Sequence, residues 1–153
     1  MSAKFFEDFE IGAVYETKAR TITESDVVTF CGVSGDFNPL HTDAEFAKET
    51  PFGERIAHGL LVLSISSGLV NQTGMFAGST LAFLGLEEWR FQAPVMFGDT
   101  VHVRMTVEDL RPSSKGGRGI VRWRRDVVNQ NGEVAQTGVA TVLMAMRSET
   151  KAG

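Results

Sequence analysis

Between Thr100 and Asp109 apolar and polar side chains alternate without interruption. Val101, Val103, Met105 and Val107 fall on one side, and His102, Arg104, Thr106 and Glu108 on the other. A two-residue period predicts a strand with one face in a core and one in water. The rhythm returns downstream, where Val121, Trp123 and Val127 point in and Arg122, Arg124 and Asp126 point out. Lys115-Gly116-Gly117-Arg118-Gly119 supplies a flexible turn between the two. Asn131-Gly132 is a strong tight-hairpin signal and predicts a returning strand from Val134 to Met146.

Upstream of Gly78 the period changes. Val14 to Thr21 reads as a strand, and Thr23 with Asp26 three residues on makes a capping box for a short helix from Glu24 to about Cys31. A second short helix, Ala44 to Lys48, has Asp43 near its start and is ended by Pro51-Phe52-Gly53. From Ala57 to Val70 the chain is apolar almost all round, which predicts a buried helix. Ser64, Ser66, Ser67 and Gly68 are small enough to let a sheet approach it closely. The expected class is α+β: a five-stranded antiparallel sheet curled around one long central helix, in a single domain over 1–153.

Composition narrows the picture. The chain has 153 residues, with 42% hydrophobic and 22% charged, the balance of a soluble globular domain. A formal net charge of -4 argues against a nucleic-acid surface. The single cysteine, Cys31, allows neither an intramolecular disulfide nor a multi-cysteine zinc site, and suits a reducing compartment. Met1 to Glu10 lacks the apolar segment of a signal peptide. The greasiest run, Ile56 to Val70, falls short of the roughly 20 residues a membrane span needs. A cytoplasmic protein with no membrane partner is expected.

Candidate chemistry concentrates in Ser34-Gly35-Asp36-Phe37-Asn38-Pro39-Leu40-His41. Gly35 permits an unusual backbone angle beside Asp36, and Pro39 fixes its own φ and restricts Asn38 to extended conformations. A carboxylate and an imidazole are thus held on one stiff loop. The competing reading makes the segment a plain turn with Asx caps and His41 a helix-flanking residue. Asp36, His41 and Asp43 are too few ligands at no familiar spacing for a metal, so none is expected.

The second feature is His58-Gly59 at the start of the apolar helix. The first amides of a helix lack intrahelical partners, and the dipole adds partial positive charge. Gly59 has no side chain to block its own N–H, which suits the oxygen of a thioester becoming an enolate. Alternatively it only eases packing. His58 reads as a space-filling or capping residue. Ser67, two turns on, could steady a carboxylate, although helix serines more commonly bond their own backbone. Lys115, Arg118, Arg122, Arg124 and Arg125 could meet coenzyme phosphates, but a solvated strand face is the favoured reading.

Asp36 to His41, then Asp43, Phe46-Ala47, Ile56-Ala57-His58-Gly59-Leu60 and Ser67-Gly68-Leu69, together resemble the MaoC-like dehydratase family. Within it they are most similar to (R)-specific enoyl-CoA hydratases. Phe6-Glu7-Asp8-Phe9, Arg90-Phe91, Pro94-Val95 and Gly98-Asp99 agree, so the resemblance runs from about Phe5 to Met146. It implies a hot-dog fold and a homodimer with joined sheets, or a dimer of dimers. It also implies an acyl-CoA substrate entering near the subunit interface, and no cofactor. By the same resemblance Asp36 and His41 form the catalytic pair and Gly59 supplies the oxyanion-hole amide. Ser67 hydrogen-bonds the aspartate, and Asn38 stabilises the loop. The implied reaction is reversible hydration of a trans-2-enoyl thioester to the (R)-3-hydroxyacyl-CoA. A hot-dog thioesterase, a non-catalytic acyl-thioester binding subunit, and a dehydratase of branched, dicarboxylic or carrier-bound acyl groups are the alternatives.

Overall fold

The computed structural model describes residues 1–147, so the last part of the expected domain, 148–153, lies outside the described residues. In chain order the elements are β1 (Val14–Glu16), β2 (Arg20–Thr21), α1 (Glu24–Ser34), α2 (Pro39–Thr42), α3 (Ala44–Lys48), α4 (Gly59–Gln72), β3 (Thr80–Phe91), β4 (Thr100–Pro112), β5 (Arg118–Asn129) and β6 (Val134–Ala145). All strand pairings are antiparallel, in the order β1-β4-β5-β6-β3, with β2 beside β1 on the same edge of β4. The sheet curls around α4. This is the hot-dog arrangement that the resemblance implies.

The alternation in β4 and β5 is realised as read. Val101, Val103, Met105 and Val107 are buried, as are Val121, Trp123 and Val127. They face Leu61, Val62, Ile65, Leu69 and Val70 of α4 in one core cluster. Burying each such side chain contributes about 1.5–3 kcal/mol, so these positions dominate the fold's stability. Phe9, Tyr15 and Phe76 pack edge-on around Trp123, with the Phe9 ring centroid 4.9 Å away.

Four expectations are corrected. The strand read over Val14 to Thr21 is two short strands. Between them the Thr17 N–H donates to the Val103 carbonyl at 3.0 Å, while Thr17 Oγ1 accepts from the Val103 N–H at 2.9 Å. A side-chain hydroxyl thus replaces a ladder carbonyl, and the regular pairing lapses there. His41 stands on a one-turn helix, α2, rather than in open loop. The long helix begins at Gly59 rather than Ala57, and it is not buried on every side: Leu60 is 60% exposed. Arg125 does not share the solvated face of Arg122 and Arg124. Those two pair with Glu87 and Glu108 at 2.6 and 2.8 Å. Arg125 lies in phase with Trp123 and Val127 and is only 5% exposed. It has no carboxylate partner among the described residues, and burial pushes its guanidinium down to about 10. Its nearest aromatic neighbour is Phe83 of β3, at 5.9 Å.

β3 is an edge strand, with no strand on its outer side among the described residues. Leu81, Phe83, Leu84 and Leu86 along it are all exposed.

Candidate active site

Gly35 ends α1 in the left-handed region, at φ 75° and ψ 5°, where a glycine is strongly preferred. The chain therefore turns sharply into Asp36. Three local bonds stiffen the loop from there to α2. The Asp36 N–H donates to Ser34 Oγ, the Asn38 N–H donates to Asp36 Oδ1, and the Leu40 N–H donates to Asn38 Oδ1, all at 3.0–3.2 Å. Asn38 is the N-cap of α2, with Pro39 in its first turn. The turn reading and the catalytic reading thus describe the same object. The Asx caps hold the pair.

Longer-range bonds fix this loop against α4. His41 Nδ1 donates to the Ile56 carbonyl at 2.7 Å, which leaves Nε2 as the ring's free lone pair. His58 Nε2 donates to the Asp36 carbonyl at 3.0 Å, and its ring stacks on His41 at 3.7 Å. Phe30 covers the His58 ring edge-on, and Cys31 Sγ lies 3.6 Å from Nε2. Polar atoms of Asp36, His41 and His58 all lie within 4.8 Å of one another. That spacing is within the reach of one bridging water. The set is less suited to a metal. One nitrogen of each ring already donates to a carbonyl.

His58 therefore does more than fill space, and no pattern in the sequence announces that. Its backbone is the N-cap of α4, so the next amide belongs to Gly59. Among the described residues the Gly59 N–H has no acceptor. Gly59 lines a cavity of about 390 Å³ together with Phe52, Leu60, Phe91, Gln92 and Gln136 among others. A Cβ at Gly59 would come within 2.6 Å of the Phe91 ring, so glycine is what lets that ring lie against the helix start. Asp36 and His41 do not line this cavity. Ile56, whose carbonyl holds His41, does.

The structure does not bring Ser67 to Asp36 within one chain. Eight residues up α4, it stands about 12 Å along the axis from Gly59. Its side chain makes no hydrogen bond among the described residues, while its carbonyl accepts from Asn71 at 3.0 Å. Sequence reasoning also missed Gln136, which is 2% exposed beside Gly59. The signal was available: the Asn131-Gly132 hairpin sets Gln136 opposite Val127, an inward position.

A long helix in a curled antiparallel sheet, with Asp36 and His41 near a helix start, defines a hot-dog protein. The MaoC like domain model matches residues 7–129, and the chain belongs to that family. It is 36% identical over 143 residues to an (R)-specific enoyl-CoA hydratase of Rhodospirillum rubrum, covering 94% of this chain and 93% of that one. It is 38% identical over 114 residues to a 3-hydroxybutyryl-CoA dehydratase of Methylorubrum extorquens, covering 74% and 70%. The crystal structure of a monoamine oxidase regulatory protein from Archaeoglobus superposes with a TM-score of 0.89 at 38% identity, over 97% of this chain and 98% of that one. No described helix is long and apolar enough to cross a membrane.

Gly59→Ala tests the amide's part. A methyl group forces the Phe91 ring aside and crowds the donor, while alanine favours the helix. We expect kcat/KM to fall by about ten- to a thousandfold. The melting temperature should stay level or rise slightly. Unchanged turnover in steady-state assays would remove Gly59 from the reaction.

Proposed function

We propose that the chain is a hydro-lyase that reversibly adds water to a trans-2-enoyl-CoA to give the (R)-3-hydroxyacyl-CoA. The observation that carries this reading is the convergence of Asp36 and His41 on one loop, pinned to the helix whose first amide is unpaired.

The enoyl thioester accepts a nucleophile at C3 because its carbonyl oxygen can take up the charge. In the proposed sequence one water sits between Asp36 and His41. The lone pair on His41 Nε2 accepts a proton as the oxygen bonds to C3, and the C2–C3 π electrons move toward the thioester oxygen. The Gly59 N–H holds that oxygen, with the α4 dipole behind it. His41 then returns the proton to C2, so one water is added and every group is restored. Asp36 orients the water and balances the transient imidazolium. Asn38 keeps the loop in register. Ser67 meets an aspartate only as part of an assembly larger than one chain. The cavity beside Gly59 is apolar except for Gln92 and Gln136, which favours a hydrocarbon acyl group over a dicarboxylic one.

Two features support a homodimer. The long β3 edge is apolar on both faces, and such an edge is normally paired or covered. Leu60 on α4 is open, and the buried Arg125 beside β3 lacks a counter-charge. A second copy adding its own β3 continues the sheet and covers the edge and Leu60. Light scattering at micromolar concentration should give at least twice the 16.7 kDa of one chain. A monomer contradicts the pairing.

Loss of the enoyl thioester absorbance tests the reaction, using straight enoyl-CoA esters from C4 to C12 with branched, dicarboxylic and carrier-bound ones. Asp36→Ala and His41→Ala should each lower kcat on the best substrate by about two to four orders of magnitude, with little change in melting temperature. The double variant should lose little more than the worse single, since both groups act on one water. Near-wild-type turnover in either single variant removes that residue. Release of free CoA in place of hydration would make the protein a thioesterase.

A further inference from the structure

We infer that Gln136 is a positioning residue: it fixes the peptide at the start of α4 so that the Gly59 N–H is held ready for the thioester oxygen. The inference rests on the role proposed for Gly59 above.

The physical problem lies in the glycine itself. A side chain there would meet Phe91, yet glycine has the widest backbone freedom of any residue. The helix start is therefore softest where an oxyanion donor must be preorganised. Two peptide planes flank Gly59. The preceding one carries the donor N–H and the His58 carbonyl, which accepts from the Val62 N–H at 3.1 Å within the helix. The following one carries the Gly59 carbonyl, which accepts from Gln136 Nε2 at 2.9 Å. Both carbonyls take the helix's own bonds, and the Gly59 carbonyl is tied to the sheet as well. Neither is left to swing.

The direction of the Gln136 amide is forced. Trp89 Nε1 can only donate, and it donates to Gln136 Oε1 at 3.1 Å. The Gly59 carbonyl can only accept. Reversing the amide would set donor against donor and acceptor against acceptor. Trp89 is itself fixed: the sheet bulges between Glu87 and Arg90, Glu88 takes a φ of 49°, and the indole lies over Gly138, where a Cβ would come within 2.6 Å of it. A buried amide is costly unless bonded at both ends, and this one is. Apolar side chains fill space at such inward positions elsewhere in the sheet, so volume alone does not call for glutamine here.

The test uses the full-length assembled protein. Gln136→Met keeps length and apolar bulk but removes both bonds. Its kcat should fall about ten- to a hundredfold with KM within about twofold, and 15N relaxation should show the Gly59 amide newly mobile on the picosecond–nanosecond timescale. In Gln136→Glu an ionised carboxylate cannot donate to the Gly59 carbonyl, whereas the protonated acid can. Its activity relative to wild type should therefore recover as pH falls, and that of Gln136→Met should not. Wild-type kcat in Gln136→Met, or a loss that tracks only melting temperature, overturns the inference. So does a Gly59 amide that stays as rigid as in wild type. If the wild-type protein hydrates no enoyl thioester, the proposed function fails, and the relaxation measurement alone decides whether Gln136 tethers Gly59.

Discussion

The hydrogen bond from His58 Nε2 to the Asp36 carbonyl joins the two halves of this site. The carboxylate–imidazole pair belongs to the loop after α1, and the free amide belongs to α4. Nothing in either segment alone sets the distance between them. His58 does so because it is the residue before Gly59, because its ring lies flat on His41, and because its donor reaches the backbone beneath Asp36. It is 3% exposed, with Phe30 and Cys31 around it. Little water competes for that bond, so it is stronger and more directional than an exposed one. A shift of this ring would move the Asp36 loop and the Gly59 amide apart together.

The rest of the fold keeps that junction still. The loop is stiffened from within by Asx caps and from outside by the Ile56 carbonyl on His41. Ile56 and Ala57 are in turn bound to the segment after β3, through the Ile56–Met96 bridge and the Ala57 N–H to the Val95 carbonyl. The helix start is held from the sheet by Gln136. Rigidity therefore comes from the sheet, reached along short chains of hydrogen bonds, while Asp36, His41 and Gly59 stand outside it.

Much of this was legible in the sequence. Strict alternation in β4 and β5 predicted the surroundings of those strands correctly, and the apolar run in α4 predicted a core helix but not its exposed side at Leu60. The Asp36 loop was visible because glycine, proline and asparagine constrain a backbone wherever they stand. What escaped depends on register and on single side chains. Arg125 is charged, and grouping it with Arg122 and Arg124 by composition hid its inward phase. Gln136 becomes informative only once the hairpin places it opposite Val127. The break at Thr17 rests on one hydroxyl replacing one carbonyl. Leu60 looked like core because apolarity alone does not say whether a side chain is covered. The bond implied for Ser67 is not made among the described residues, where Ser67 stands two turns from the helix start.

The central claim is that a single water, held from one side by Asp36 and His41, supplies both the hydroxyl at C3 and the proton at C2. Hydration of the best trans-2-enoyl-CoA in D₂O, with the relative configuration of C2 and C3 read by NMR, tests it most directly. Syn addition is the predicted result, with the product oxidised by an R-specific 3-hydroxyacyl dehydrogenase and not by an S-specific one. Anti addition would contradict the one-water geometry. An S product would place the opposite face of the substrate against the loop and contradict the assigned stereochemistry.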